Sequence, residues 1–536
     1  MNHRTINRRA ALKHLSQAAA CGAAVGAARQ RGIAAMNRVG ADVTIDVLLN
    51  EPIGTIRPGV YGHFAEHIGG VIYDGIWVGP ESKIPNVDGI RRDTIEHVRR
   101  LGRIVVRWPG GCFADRYHWR DGIGPPEKRP RRFGRWREET EPNHFGTREF
   151  IRFCQLADVE PYFAANVGTG TAEEFQQWVE YCNAPGGSTT LADERAANGD
   201  ERPWGVRYWG VGNESWGCGG KFTPEDYCRE YRKFTEWVPS YGVPLYLIAA
   251  GPNGNDVDWT RRFFAKWADY AKAPIQGWAP HYYCGTTGHA LEFTSDQWYE
   301  MLHKANQMEP LVNDQWSALG EFDRERKVKL VIDEWGCWHP PGTEINQRHL
   351  FEQMGCLRDA LVAALTLDTF NRHADKIDMA NVAQLVNNLH SLFLADGEKF
   401  VVTPSYHVFA MYRPHQGGKA VRVEMQEPGV DFQAGGRERR IFRVAGSASR
   451  KGESDLTMTL VHTHASEPVE VAIRLRGGAA ASARQTVLTH RELNAHNTFD
   501  QQEEVTPKTT DTKLKGDILH ATLDPASVTR LDVRLG

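Results

Sequence analysis

The sequence lacks several features that would each point to a class of protein. Its nine cysteines fall in no CxxC pair and no metal-ligand spacing. They describe neither a disulfide framework nor a zinc site, and most are expected to be small buried hydrophobes. No apolar run approaches the ~20 residues that a membrane-spanning helix needs. There is no H-E-x-x-H motif, and neither a metal nor an organic cofactor is expected. An excess of one charge is missing too: 64 Lys plus Arg stand against 67 Asp plus Glu, a formal net charge of -3. That balance offers no field for a polyanion or a membrane surface, so nucleic acid is not an expected partner. No internal repeat is visible.

What the chain does have is length and aromatic side chains. At 536 residues, 41% of them hydrophobic, it exceeds the roughly 250–300 residues at which single cores stop growing, and two domains are expected. Sixteen Trp are enough both to fill a core and to line the mouth of a site, where aromatic faces stack on sugar rings. The first residues stand apart from the rest. Arg8 and Arg9 precede a weakly hydrophobic, Ala-rich stretch without acids that ends near Ala35, which resembles a twin-arginine export signal. Leu12 and Lys13 fit that pattern, while Asn7 and Ala11 depart from it. Cys21 follows three alanines as a lipoprotein site would, but Ala18 stands where Leu is usual. Segment 1–36 is therefore read as a signal directing export to the periplasm or medium, with a cytoplasmic location as the alternative.

From Gly59 to about Leu394, short apolar or aromatic runs alternate with longer segments of helical period, as repeated βα units do. The strand candidates are Gly59–Phe64, Arg103–Trp108, Pro161–Val167, Val206–Gly212, Pro244–Ala250, Ile275–His281, Val328–Asp333 and Met379–Val386. Amphipathic helices are expected at Thr147–Asp158, Thr223–Tyr241, Asp258–Ala271 and Phe351–Ala374. Eight such units imply an α/β fold of the closed (β/α)8 TIM barrel type over 59–395. After about Asp396 the pattern becomes short and alternating, so 396–536 is expected to be an antiparallel β-sandwich. The alternating piece Asp42–Leu49, within 37–58, is expected to join that sandwich. The cationic run Arg129–Arg137, followed by Glu138, Glu139 and Glu141, reads as a solvated loop, with a lid or an oligomer contact as the alternative.

Barrel enzymes place their chemistry at the C-terminal ends of the strands. There V-R-Y-W-G-V-G-N-E-S runs into Asn213 and Glu214, and K-V-K-L-V-I-D-E-W runs into Asp333 and Glu334. Two glutamates from the fourth and seventh strands would face each other across the mouth, and such a pair is what glycosidic cleavage needs. Each alone could equally cap a helix or pair with a local cation. Other strand ends carry Glu66 and His67, Arg107, His281-Tyr282-Tyr283, and Gln384 with Asn387. Arg107 beside Glu334 would keep it ionised, while burial would raise Glu214, dividing the labour between them.

G-V-Y-G-H-F-A-E-H-I-G-G, V-R-W-P-G-G-C-F-A-D-R-Y-H-W-R-D-G-I-G-P, Y-W-G-V-G-N-E-S-W-G-C-G-G, V-I-D-E-W-G-C-W and A-N-V-A-Q-L-V-N resemble the α-L-arabinofuranosidases of glycoside hydrolase family 51, retaining enzymes of clan A. R-E-L-N-A-H-N-T-F-D resembles that family's terminal sandwich, so the likeness covers nearly everything after residue 42. The resemblance implies Glu334 as nucleophile and Glu214 as acid/base. It implies Glu66, Asn213, Tyr283 and Gln384 as sugar-binding groups and Trp338 as a pocket wall, beside the strand-end residues Arg107 and His281. Cys112 stands where many members have Asn, and a thiol is a weaker partner for the sugar. Cys218, Cys284 and Cys337 lie in the same motif loops and read as inert packing. The expected reaction is exo-acting release of arabinofuranose from arabinan, arabinoxylan or derived oligosaccharides. The resemblance also implies a homo-oligomer, often a hexamer. The rival readings are an endo-glucanase or xylanase on the same scaffold, and a catalytically silent carbohydrate-binding protein.

Overall fold

The structure is a computed structural model that describes residues 41–134, 136, 140–270, 273–285, 287–512 and 516–536. The export-signal reading of 1–36, Cys21 included, lies outside those residues. Eight parallel strands close into a barrel in sequence order. Counting Val43–Thr55 as β1, they are β2 Gly62–Phe64, β3 Val105–Trp108, β4 Glu160–Ala165, β5 Tyr208–Val211, β6 Tyr246–Asn253, β7 Gly277–Cys284, β8 Lys329–Cys337 and β9 Ile377–Ala383. Their side chains divide by period 2. Val105, Tyr162, Ile248, Ala279, Val331 and Met379 fill the barrel interior as one small cluster. Val106, Phe163, Leu330 and Ile332 face the other way, into the main core.

The helices that cover the barrel carry the expected start signals. Thr223 caps the helix Pro224–Thr235 through its hydroxyl, with Pro at its first position. That helix ends six residues short of the predicted Tyr241, because Pro239 cannot continue it. The expected helix Phe351–Ala374 begins instead at Leu357 and runs to Arg372, opened by Asp359, whose carboxylate accepts from the Cys356 amide. Residues 351–356 are loop. Every residue from Leu357 to Asn371 is buried.

Helical structure also extends past residue 396, as Pro404–Tyr412. The C-terminal sheet domain has nine strands, of which β1 is a central one. β1 pairs antiparallel with Lys419–Gln426 and parallel with Val469–Arg476, so the sheet is not purely antiparallel. Val43, Ile45 and Val47 share one core with Leu456, Leu460, Ile473, Leu519 and Leu531. Leu519 of one edge strand and Ala483 of the strand next to the other edge both belong to it, so the sheet curls over its own core. The expected solvated loop is exposed over residues 130–133, but its two ends are not. Arg129 is buried and forms two hydrogen bonds of 2.9 Å with Glu149, and Glu141 is buried against His67 at 2.8 Å.

Candidate active site

Glu334 reaches the barrel mouth through an irregularity in β8. Along that strand Val331 points inward and Leu330 and Ile332 outward, so strict alternation would send Asp333 inward and Glu334 out. The register against β7 shifts between Trp278↔Leu330 and His281↔Glu334, which places one extra residue on β8. Both acids therefore face the interior, as a bulge next to an active site allows. Asp333 accepts from Tyr162 Oη at 2.7 Å and Asn381 Nδ2 at 2.8 Å and pairs with Arg107 Nε at 3.3 Å. Glu334 accepts from Arg107 Nη1 and from Tyr283 Oη, each at 2.8 Å. Arg107 Nη2 donates to Asn213 Oδ1 at 2.7 Å. One guanidinium thus ties β3, the end of β5 and β8 together with a rigid fork that an ammonium could not reproduce.

Glu214 follows β5 in the left-handed backbone region at φ 36°, a conformation a β-carbon disfavours and that surrounding structure has to hold. His281 Nδ1 lies 3.2 Å from Glu214 Oε1 and 3.5 Å from Glu334 Oε2. Oxygens of the two glutamates and a ring nitrogen of His281 lie within 4.8 Å of one another. Burial alone would push the Glu334 carboxyl up, but His281, Arg107 and the Tyr283 hydroxyl outweigh it and hold it below its usual value. His281 is the reverse case: burial disfavours its cation, while the charge of Glu334 and the contact with Glu214 raise it.

Glu66 forms the opposite wall. Its Oε1 accepts from the amides of Gly111 and Phe113 at 3.1 and 2.9 Å, and its Oε2 from Gln384 Nε2 at 3.2 Å. Burial, and then the charge of Glu334, push it up to about 7. Gly111 makes this packing possible, because a β-carbon there would come within 2.5 Å of Glu334 Oε1. Trp338 stands at the rim as a partly exposed ring, edge-on to Tyr283 at 5.3 Å and to Phe351 at 5.1 Å.

Two models describing arabinofuranosidase domains match the sequence: "Alpha-L-arabinofuranosidase 1 domain" over residues 97–295 and "Alpha-L-arabinofuranosidase C-terminal domain" over 333–527. An intracellular exo-α-L-arabinofuranosidase of Bacteroides ovatus is 38% identical, across 87% of this chain and 90% of its own. A family 51 arabinofuranosidase structure from Xanthomonas axonopodis pv. citri is 35% identical with a TM-score of 0.87, covering 92% of this chain and 100% of that one. The chain belongs to the family 51 α-L-arabinofuranosidases. A second solved member, from Thermotoga maritima in complex with arabinose, is 29% identical with a TM-score of 0.82 over 92% of this chain and 100% of that one. Family membership makes the chain a glycoside hydrolase of the arabinofuranosidase type.

For an arabinofuranosidase site, the sequence reading needs one correction. Cys112 is not a free thiol, and Cys218 is not inert packing: they form a disulfide between loops 106 residues apart. Composition and spacing could not show it, because only the closed barrel brings the loops after β3 and β5 together. The six other described cysteines are free and buried, as expected. The sequence reading also missed Tyr162 and Asn381, which hold Asp333, and Phe351, which backs Trp338. Their places as polar side chains within two apolar barrel strands were the available signal for the first two. A second cluster with metal-ligating atoms, Cys337, His339 and Asp359, is closed by its own partners. His339 Nε2 lies 2.8 Å from Asp359 Oδ1, and the Arg358 guanidinium is 3.4 Å from His339 Nδ1.

Proposed function

We propose that the chain removes a terminal α-L-arabinofuranosyl unit by double displacement, with Glu334 as nucleophile and Glu214 as acid/base. Glu334 attacks the anomeric carbon while Glu214 protonates the leaving oxygen, giving a covalent glycosyl-enzyme. Water deprotonated by the same Glu214 then releases arabinose with retained configuration. The observation that carries this reading is the approach of the two carboxylates to within 4.8 Å. Oxygens that near fit the short separation of retaining pairs, roughly 5–5.5 Å between carboxyl groups, better than the roughly 6.5–9.5 Å that inverting enzymes need for a water. Arg107 and Tyr283 both hold Glu334 and leave Glu214 to His281, which supports the division of roles. Asn213, fixed by Arg107, is placed to bond the 2-hydroxyl as charge develops, with Glu66 and Gln384 on the far side of the sugar and Trp338 at the rim.

Proton NMR of the first-formed product from arabinoxylan and arabinan oligosaccharides tests this, giving sugar, linkage and stereochemistry together. Release of arabinose with retained configuration supports the reading; internal cleavage of linear xylan or β-glucan in its place would transfer the site to the endo-acting rival. Loss of turnover in Glu334→Ala separates both from a silent binding protein. The natural substrates are proposed to be arabinan, arabinoxylan or oligosaccharides derived from them, and the assembly a homo-oligomer of the hexameric kind. Light scattering on the purified full chain checks the assembly. Among the described residues no helix is long and apolar enough to cross a membrane. The intracellular name of the Bacteroides ovatus relative favours the cytoplasmic alternative over export. Fractionation of cells expressing the full chain, beside an Arg8→Lys, Arg9→Lys variant, decides between the two.

A further inference from the structure

The Cys112–Cys218 disulfide lies against the carboxylate assigned as the acid/base. Cys218 Sγ is 3.4 Å and Cys112 Sγ 3.9 Å from Glu214 Oε2, the oxygen not in contact with His281. The Asn213 amide nitrogen is 3.6 Å from Cys218 Sγ. Both half-cystines are partly exposed, whereas Cys154, Cys182, Cys228, Cys284, Cys337 and Cys356 are buried. Burial pushes those six thiols well up, to about 12 for Cys228 and Cys284, so they are poor nucleophiles and poor ligands at neutral pH. Among the described cysteines, only this pair is not buried.

We propose that the pair is a redox-gated site for a soft divalent cation such as zinc, with Cys112, Cys218 and Glu214 as ligands, and that its occupation stops hydrolysis. The proposal rests on Glu214 as the acid/base. A dithiol reductant gives up two electrons and two protons, the sulfur–sulfur bond breaks, and two thiols form while the reductant closes to its own disulfide. Binding of the cation then displaces the two thiol protons. Thiolates on a tetrahedral zinc, with bonds of about 2.3 Å, stand about 3.7 Å apart. Loops whose Cα atoms are 5.6 Å apart accommodate that spacing by side-chain rotation. Oε2 of Glu214 supplies a third ligand, and the fourth position opens towards the sugar pocket, where water completes the shell. A carboxylate bound to a cation cannot carry the proton that the leaving oxygen requires. The paired form has no thiolate to offer and is insensitive. The compartment matters for this reason: a reducing cytosol opens the pair, and an oxidising one keeps it closed.

The test uses the full chain in two states, as purified under oxidation and after reduction by dithiothreitol followed by desalting under inert gas. Cadmium is titrated and followed by thiolate-to-metal absorption, and zinc is titrated against hydrolysis of an aryl α-L-arabinofuranoside. The proposal predicts one cadmium per reduced chain and none per oxidised chain, with the signal lost in Cys218→Ser. It also predicts a tenfold or greater loss of activity with zinc only in the reduced form, reversed by a chelator. Three results would each overturn it: a disulfide that resists the dithiol, a reduced chain without the absorption band, or equal zinc inhibition of both forms. If the band appears but neither form hydrolyses the arabinofuranoside, the metal site stands and the activity assignment falls.

Discussion

Arg107 gives the site its asymmetry. It is fully buried, and although burial disfavours its cation, Asp333 and Glu334 outweigh that and raise its pKa. Removing an ion from such a network leaves its partners charged and unpaired. The milder change Arg107→Lys keeps a charge but loses the fork that reaches Glu334, Asn213 and Asp333 together. A hydrogen bond to a charged group is worth about 1.5–3 kcal/mol, so kcat/KM of Arg107→Lys should fall by about 10- to 100-fold. Because the guanidinium holds the Glu334 carboxyl down, the acid limb of the kcat/KM profile should also move to higher pH. A profile of unchanged shape would remove Arg107 from the electrostatics of the nucleophile. Glu214, Glu334 and Arg107 were legible in the sequence because each lies in or just after a strand whose apolar run is plain. The disulfide was not legible, since Cys112 and Cys218 meet only through barrel closure. Nor was the bulge at Asp333, because the sequence shows alternation but not register.

At the scale of elements, the helix Leu357–Arg372 packs barrel against sheet, and one buried carboxylate lies at that junction. Asp368 accepts from Ser447 Oγ at 2.6 Å, Thr459 Oγ1 at 2.5 Å and Tyr412 Oη at 2.8 Å. Burial nevertheless dominates and raises it to about 6. A raised carboxyl stabilises the fold fully below its unfolded value, and that contribution is lost as pH rises through the folded one. Between about pH 4 and 6 the ionisation of Asp368 therefore costs up to about 3 kcal/mol of stability. The melting temperature of Asp368→Asn relative to the wild type should rise across that window and stay level above it. A difference that does not change with pH would show that the three hydroxyls fully compensate the charge. The ends of elements were the less legible part. Pro239 shortens one helix, and the start of the last barrel helix moved because the apolar residues Phe351 and Met354 serve the site loop and not a helix face.

For the whole molecule, the order of the chain and the order of the fold differ. β1, the first described strand, is held between two strands that come more than 360 residues later. Its Val43, Ile45 and Val47 are fully buried. Deleting residues 41–55 should therefore abolish the soluble folded protein, since it splits the nine-stranded sheet into six strands and two and opens two unpaired edges. A soluble deletion product with native thermal unfolding would show that the sheet is not one cooperative body. The alternating pattern of Asp42–Leu49 announced a strand, but its parallel neighbour was not legible, because pairing over such distances leaves no local signal.

The central claim is that Glu334 and Glu214 act in turn on one anomeric carbon, and the most direct measurement is mass spectrometry of the trapped intermediate. An aryl α-L-arabinofuranoside with a good leaving group needs little help from the acid, whereas release of the sugar needs the base. In Glu214→Ala the glycosyl-enzyme should therefore accumulate, and digestion should yield a peptide carrying one pentosyl unit on Glu334. A pentosyl unit on any other residue, or rapid turnover with no covalent adduct and an inverted product, would contradict the account.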